Sequence, residues 1–598
     1  MTRLRSSFLV LALVAASGLS VAADDPGGLP EDARLNTLFR DYLTETFHRE
    51  PLSATRLGEH GFDDKLDDLS PEAREANLQL RRDTLARLRK EVVVDRLSRP
   101  SKIDYDVFLR HLESTIWLGE TFHPFRDDPR VYGDYATESV YLLLTQSSLP
   151  REVNRRNALE RMRQVPRVLE TARKTIGRPP RVKVETAIRQ TEGAVGFYKT
   201  ELFRLAGDPP GEGQLAADAA KLVGLLSDYL AFLKTEVLPR STDDWRIGRE
   251  LFVKKLDYEL DAGLTADEVL AEAEREAVRV ETEMSVFARQ IWSEFFPGVA
   301  VPPDDPAGRS EMTRRVLERI GDDHGTADSL VADARSTVHA IKDFISARKI
   351  LALPEPDQCR IIEMPEFMRG NSVAYLNPAP PLDSRGSSEY SISPPPADWS
   401  RERADSLLRE YNRSMLKILT IHEAYPGHYV QLEYSNKCPS FIRLVLSSGT
   451  FAEGWAVYTE QMMLDQGFGG GDVKLRLQQL KFYLRAVVNA ILDNKMHCGA
   501  MTDAEARDLL MNRAFQTEGE AVGKIIRSKQ SSCQLSTYFV GRTAFYRLRQ
   551  SVQREQGDRF DLARFHEAAL SEGTLPVKFL PELVRARLAE MRGKSSDK

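Results

Sequence analysis

Cysteine is scarce in this chain. Its four residues, Cys359, Cys438, Cys498 and Cys533, show no C-x-x-C spacing. That argues against a cysteine-built zinc site and leaves any disulfide connectivity unreadable from sequence. Positive charge is not in excess either. Lys and Arg total 83 against 89 Asp and Glu, a net charge of −6. Without a basic footprint, nucleic acid is not an expected partner. No long low-complexity linker divides the 598 residues, and no internal repeat is evident. With 42% hydrophobic and 29% charged residues, the balance is that of a soluble globular protein with ample material for a core.

The N-terminus reads as a targeting segment. Arg3 and Arg5 precede the apolar run Phe8 to Ala16, and small residues follow at Ser20-Val21-Ala22-Ala23. This is the pattern of a secretory signal peptide over residues 1–23, too short for a membrane span. No lipobox cysteine lies at the cleavage site. Cleavage removes two arginines and no acids, leaving 81 basic against 89 acidic residues and a mature charge of −8. The expectation is an exported protein, periplasmic or secreted, with no membrane association after cleavage.

Most of the remaining chain carries helical periodicity. It is strong over 35–50, 151–176, 214–236, 265–292, 310–320 and 327–348, and again over 400–434, 452–465, 473–497, 503–515 and 536–554. Ser70 and Thr265 stand where helix N-caps belong. Residues 349–399 differ: they are rich in Pro, Gly and Ser and hold two short strand candidates, around 372–377 and 389–393. The expected fold is mainly α, a large helical body with a small β-hairpin or edge-strand element beside the active helix. Residues 24–598 are expected to form a single domain. Within it a helical N-terminal lobe covers about 35–348 and a site-bearing C-terminal lobe about 349–598.

The chemistry is concentrated in His422-Glu423-Ala424-Tyr425-Pro426-Gly427-His428, followed by Glu453 in Phe451-Ala452-Glu453-Gly454-Trp455-Ala456. Two histidines and a later carboxylate meet the needs of a His2Glu zinc site with one position left for water. The spacing is unusual. In H-E-x-x-H helices the histidines sit at i and i+4. Here they sit at i and i+6, which leaves them about 120° apart on a regular helix. Proline favours a kink and glycine tolerates the unusual backbone angles a bulge needs, so a distortion at Pro426-Gly427 can bring His428 back to the face of His422. The alternative is a helix that ends at Pro-Gly with His428 in a loop.

H-E-A-Y-P-G-H-Y-V-Q followed by F-A-E-G-W-A-V-Y-T-E resembles the bacterial domain-of-unknown-function 885 (DUF885) family of zinc-metallopeptidase-like proteins. Its pattern is H-E-x-x-P-G-H-x-x-Q, then E-G-W-A-x-Y-x-E. Arg485, Asp493 and His497 are similar to the family's R…D-x-x-x-H segment, and Tyr538-Phe539-Val540-Gly541 to its Y-x-x-G element. Ala374 to Pro378 resembles its short strand, and Pro51…Gly58 and Gly573-Thr574-Leu575-Pro576 fit as well. The similarity runs from about residue 35 to the C-terminus. Tyr429 departs from the pattern, since many members carry a second histidine there.

With that resemblance, roles can be assigned as expectations. His422, His428 and Glu453 are the zinc ligands, with Glu460, seven residues on, as the rival third ligand or a supporting partner. Bound zinc lowers the pKa of its water to about 7, and Glu423 is the general base. His497, oriented by Asp493 four residues earlier, and Tyr538 are placed by the resemblance in catalysis, contacting substrate or the developing oxyanion. Arg485, Arg527 and Arg542 are all candidates for binding a peptide carboxylate, with nothing to choose among them. His566-Glu567 repeats the H-E pair without a second histidine nearby and is read as a decoy. An edge strand near Ala374-Tyr375 offers an extended peptide main-chain pairing. The leading expectation is an exported zinc metallopeptidase acting on short peptides. A metal-free binding or scaffold protein of the same fold, and a metallohydrolase of non-peptide amides or esters, remain open.

Overall fold

The computed structural model describes residues 29–209, 211–364, 374–396 and 399–596. The proposed leader, 1–23, lies outside them. Helix accounts for 73% of the structure, and the described strands form one three-stranded sheet. The mainly α expectation is met. Local signals set many helix starts. Ser70 Oγ accepts from Ala73 N at 3.2 Å, and Pro71 takes the first helical position. Thr265 and Glu268 close a reciprocal capping box, at 3.2 and 2.8 Å. That box opens the longest helix, α1, Ala266–Phe295. No helix among the described residues is long and apolar enough to cross a membrane.

The sheet holds β1 (Cys359–Glu363), β2 (Ala374–Asn377) and β3 (Ser388–Ile392), in the order β1-β3-β2. β2 and β3 run antiparallel, pairing Leu376 with Tyr390. They match the two expected strands. β1 was not foreseen; it joins β3 in parallel, pairing Ile361 with Tyr390. β2 is left at an edge of the sheet, beside the site.

Six helices after the sheet position that site. The expected helical stretch 400–434 is broken twice. Asn412 caps a new start by accepting from Ser414 N and Met415 N, both at 3.1 Å. This opens α2, Arg413–Glu423, and after a break α3 covers His428–Ser435. Then come α4 (Gly449–Asp465), α5 (Val473–Cys498), α6 (Glu518–Gln530) and α7 (Thr537–Gln556). α1 and α5 share one apolar core through Val280, Met284, Leu484 and Val487. α2, α4 and the sheet share another through Ile418, Trp455 and Tyr390. The first helices dock Phe39 and Phe108 on Phe441 and Ile442, in the segment between α3 and α4.

The approach of α4 to α7 depends on two glycines. A Cβ on Gly454 would lie 2.4 Å from Gly541 Cα, and one on Gly541 would lie 1.9 Å from the Thr450 carbonyl oxygen. No side chain fits at either position. The crossing therefore fixes α4, and with it Glu453, at close range against α7.

Candidate metal centre

The i, i+6 histidine spacing works because the helix is broken between them. α2 ends as Ala424 N and Tyr425 N both donate to the Thr420 carbonyl, at 3.0 and 3.3 Å. Pro426 has no N–H to continue the ladder. Regular bonding resumes when Gln431 N donates to Gly427 O at 3.0 Å. Gly427 is pressed onto the end of α2: a Cβ there would lie 1.9 Å from His422 O and 2.3 Å from Ile421 O. Its φ is −69°, so the demand is for close approach and not for a left-handed backbone. Trp455, next but one to Glu453, donates its indole N–H to the Pro426 carbonyl at 2.8 Å and holds the turn from the α4 side.

The break brings the rings together. The His422 and His428 centroids are 4.9 Å apart with their planes at 88°. Glu453 Oε2 lies 3.7 Å from His422 Nε2 and 3.4 Å from His428 Nε2. These three donor atoms all fall within 4.8 Å of one another. Ligands at about 2.0–2.2 Å from a tetrahedral ion sit about 3.3–3.6 Å apart. Glu453 Oε2 is buried yet makes no hydrogen bond among the described residues. A buried carboxylate oxygen without a partner is costly, and a cation between the three donors would supply one. The donor set fits a divalent ion of the zinc type.

Glu460 does something else. Its Oε1 lies 2.7 Å from His422 Nδ1. Nδ1–H donation to that carboxylate leaves the Nε2 lone pair pointing at Glu453 and His428. Seven residues separate Glu453 from Glu460, two helical turns, so α4 presents both to α2. The local electrostatics are strong. Burial alone would lower the His422 imidazole, but Glu453 and Glu460 raise it to about 10. Burial alone would raise the Glu453 carboxyl, but His422 and His428 hold it well below the usual carboxylate range. Burial pushes Glu460 up to about 7.

Glu423 sits beside the cluster at the end of α2. Its Oε2 accepts from Leu376 N at 3.1 Å, on the outer edge of β2. Burial raises its carboxyl, with His422 and His428 opposing. Glu423 and His422 are among the residues lining a cavity of about 130 Å³. Tyr538 lines it too, from the first turn of α7; Arg527 Nη2 and Gln534 Nε2 each lie 3.3 Å from its hydroxyl oxygen. Burial and the nearby Glu453 push that phenol up to about 12.

His497 is not in the cavity, and its expected catalytic role is corrected. Phe482, Arg485, Ala486 and Asn489 of α5 line the cavity. His497 lies eight residues beyond Asn489, about 12 Å further along the axis. Its Nε2 donates to the backbone carbonyls of Ser528 and Ser531, at 2.8 and 3.0 Å, and its ring stacks on Phe252. Asp493 does not orient it: that carboxylate accepts from Cys533 N and Ser536 Oγ, both at 3.1 Å. The pair anchors the connection between α6 and α7 to α5, and so positions α6 and Tyr538 at a distance.

Of the three candidate arginines, Arg485 and Arg527 line the cavity and Arg542 does not. Arg542 is held over the Tyr483 and Tyr546 rings, 4.1 Å from each centroid. His566 is structural, with Nδ1 at 2.9 Å from Ile350 O and Nε2 at 2.8 Å from Tyr458 OH. Tyr429 also points away from the donors, and its hydroxyl donates to Asp357 at 2.9 Å. Lys524 was missed. It lies in Glu518–Gln530, a stretch outside the expected helices, with acids in its first turn and bases towards its end, yet it is buried and lines the cavity. The four cysteines are free thiols.

Comparison with known proteins adds family and fold. The family model described as "Bacterial protein of unknown function (DUF885)" matches residues 51–584. A solved structure of a candidate lipoprotein of unknown function from Shewanella oneidensis shares 29% identity. It aligns over 92% of this chain and 99% of its own, with a TM-score of 0.76. A candidate lipoprotein from Colwellia psychrerythraea has the same fold at 17% identity, covering 94% and 99%, with a TM-score of 0.75. No curated protein matches the chain.

Proposed function

The chain belongs to the DUF885 family, and on that premise we propose that it is an exported, zinc-dependent hydrolase of peptide bonds in short peptides. One observation carries the reading. His422 Nε2 and His428 Nε2 lie 3.7 and 3.4 Å from Glu453 Oε2, a buried carboxylate oxygen with no hydrogen-bond partner among the described residues, and the three side chains can offer one ion a donor each. When bound there, zinc supplies a Lewis acid and makes a coordinated water a nucleophile at neutral pH. The chain's own residues supply the rest. Glu423 is the proton acceptor, held at Oε2 by the β2 amide and next in sequence to a ligand, as general-base geometry requires. Glu460 fixes the His422 ring. Tyr538 offers its hydroxyl toward charge developing on the substrate carbonyl. β2 supports a peptide over other amides, because an extended chain can pair with main-chain groups of this edge strand other than the Leu376 N–H that Glu423 holds.

The test joins metal analysis to a peptide-library digest with and without chelator. The expected result is about one zinc per chain, with hydrolysis lost on chelation and restored by zinc. Chelator-insensitive hydrolysis, or a metal-free protein that cuts nothing after zinc loading, would reject the reading.

A further inference from the structure

The cavity beside the candidate metal centre has an excess of positive charge in its lining. Arg485 on α5, and Lys524 and Arg527 on α6, all line it. Arg485 is neutralised, with Nη1 at 3.1 Å from Glu520 Oε2. Lys524 and Arg527 are not: among the described residues neither has a carboxylate within ion-pair distance. Lys524 is 5% exposed. Among the described residues its ammonium meets no hydrogen-bond acceptor, and it shares the cavity with Glu423 and Tyr538. Arg527 stands at the mouth, its guanidinium turned to Gln534 Oε1 at 2.8 Å and to the Tyr538 hydroxyl at 3.3 Å.

A buried cation without a counter-charge is expensive. Burial and the neighbouring Arg485 and Arg527 push the Lys524 ammonium well below its usual range, against the weaker pull of Glu520 and Glu453, neither of which is in contact with it. A structural site would pair such a group; a binding site leaves the pairing to its ligand. His422 and Glu423 line the same cavity, so an anion held by the cations shares that space with a metal-donor residue and the proposed base. The cavity, about 130 Å³, is well below the about 300–1,000 Å³ of drug-sized ligand sites. It suits one amino-acid residue. Phe482 and Leu419 give it apolar surface.

We propose that Lys524 and Arg527 bind the free C-terminal carboxylate of a peptide, making this site one that removes residues from the carboxyl end. The substrate class rests on the hydrolase reading above; the anion-binding role of the two cations does not. Bidentate or charge-assisted contacts to a carboxylate discriminate against the neutral amide by about tenfold or more.

The test uses zinc-loaded protein and two probes, 3-phenylpropionate and its neutral amide, in calorimetric titrations. The acid should bind about tenfold or more tightly than the amide. That preference should collapse in Lys524→Met and shrink in Arg527→Gln. Arg527 is surface-exposed, so its variant keeps the test valid if burial of methionine disturbs the fold. Equal affinity of acid and amide, including no binding of either, overturns the proposal. So does an acid preference that both variants retain, since the carboxylate would then sit on the metal. A second arm compares peptides ending in a free carboxylate with the same peptides amidated, some carrying Asp or Glu near the end. Equal cleavage of both, or cleavage of amidated peptides only where an acidic side chain is present, overturns the terminal-carboxylate assignment. Selective binding of the acid with no peptide cut leaves the clamp standing and removes the peptidase reading instead.

Discussion

Each side chain at the centre has a separable duty, and single substitutions can tell them apart. His422, His428 and Glu453 converge on one point, so His422→Ala or His428→Ala should abolish stoichiometric zinc in elemental analysis. Full occupancy in both variants would refute the ligand set. Glu460 touches only the back of the His422 ring. Glu460→Gln should retain zinc but weaken its affinity by about 10–100-fold, measured by competition with a chelator. Glu423 should be silent in that assay. Glu423→Gln should hold zinc like the wild type and lose about 100-fold or more in turnover of any substrate the wild type cuts. Near wild-type turnover would exclude it as the base. The cluster of His422, Glu423, His428 and Glu453, with the donor and base roles proposed for it, was legible as residue types at close sequence spacing. Lys524 was not, because its burial comes from where α6 docks, and nothing in a charged helix announces that. His497 misled for the matching reason: an i, i+4 pairing with Asp493 is available, but both residues find better partners in the 528–536 connection.

At the scale of elements, the motif residues between the donors act mostly as braces. Gly427 gives the α2–α3 break its closeness, Trp455 clamps it, and Gln431 reaches Thr574 Oγ1 at 2.6 Å. Gly454 and Gly541 set the α4–α7 distance. Gly427→Ala places a methyl against the His422 carbonyl. It should weaken zinc binding while far-ultraviolet circular dichroism keeps its helical signal; unchanged zinc affinity would show that the turn need not be tight. Gly541→Val should force α4 outward and destabilise the fold by about 1–3 kcal/mol or more, read as a lower melting temperature. Many helices and two of the three strands were readable from periodicity and composition, but Arg99–Thr121, Gly248–Leu260 and Glu518–Gln530 were not. β1 was not, since five residues among prolines carry too little pattern to separate a strand from a loop. The break in α2 was readable only as a need, through the mismatch of six residues with a 3.6-residue turn.

Across the whole molecule, residues distant in sequence hold the site from outside. His60, in the N-terminal part, bridges Asp63 at 2.8 Å and Asp383 at 3.1 Å, and Asp383 lies in the turn between β2 and β3. Burial alone would lower the imidazole, but Asp383 and Asp63 raise it to about 9. An imidazole raised from about 6.5 stabilises the fold fully below that value, and its contribution fades as pH climbs to about 9. The melting-temperature gap between wild type and His60→Gln should therefore be widest near pH 6 and close towards pH 10. A gap that is constant or grows with pH would contradict the pairing. Neither this tie nor the docking of Phe39 on the segment before α4 could be read from the chain, because both depend on contacts hundreds of residues apart.

The glycine crossing of α4 and α7 also sets an order of events in biogenesis. Glu453 reaches its position only when Gly454 lies against Gly541, and eighty-seven residues of synthesis separate those two glycines. A chain still being translated, or still threading through an export channel, holds both histidines and the carboxylate long before it holds their arrangement. If zinc binds as proposed, its loading belongs to the finished molecule. Nascent chains stalled before residue 541 emerges should leave zinc in solution, and the metal content of the mature protein should follow the supply where folding ends.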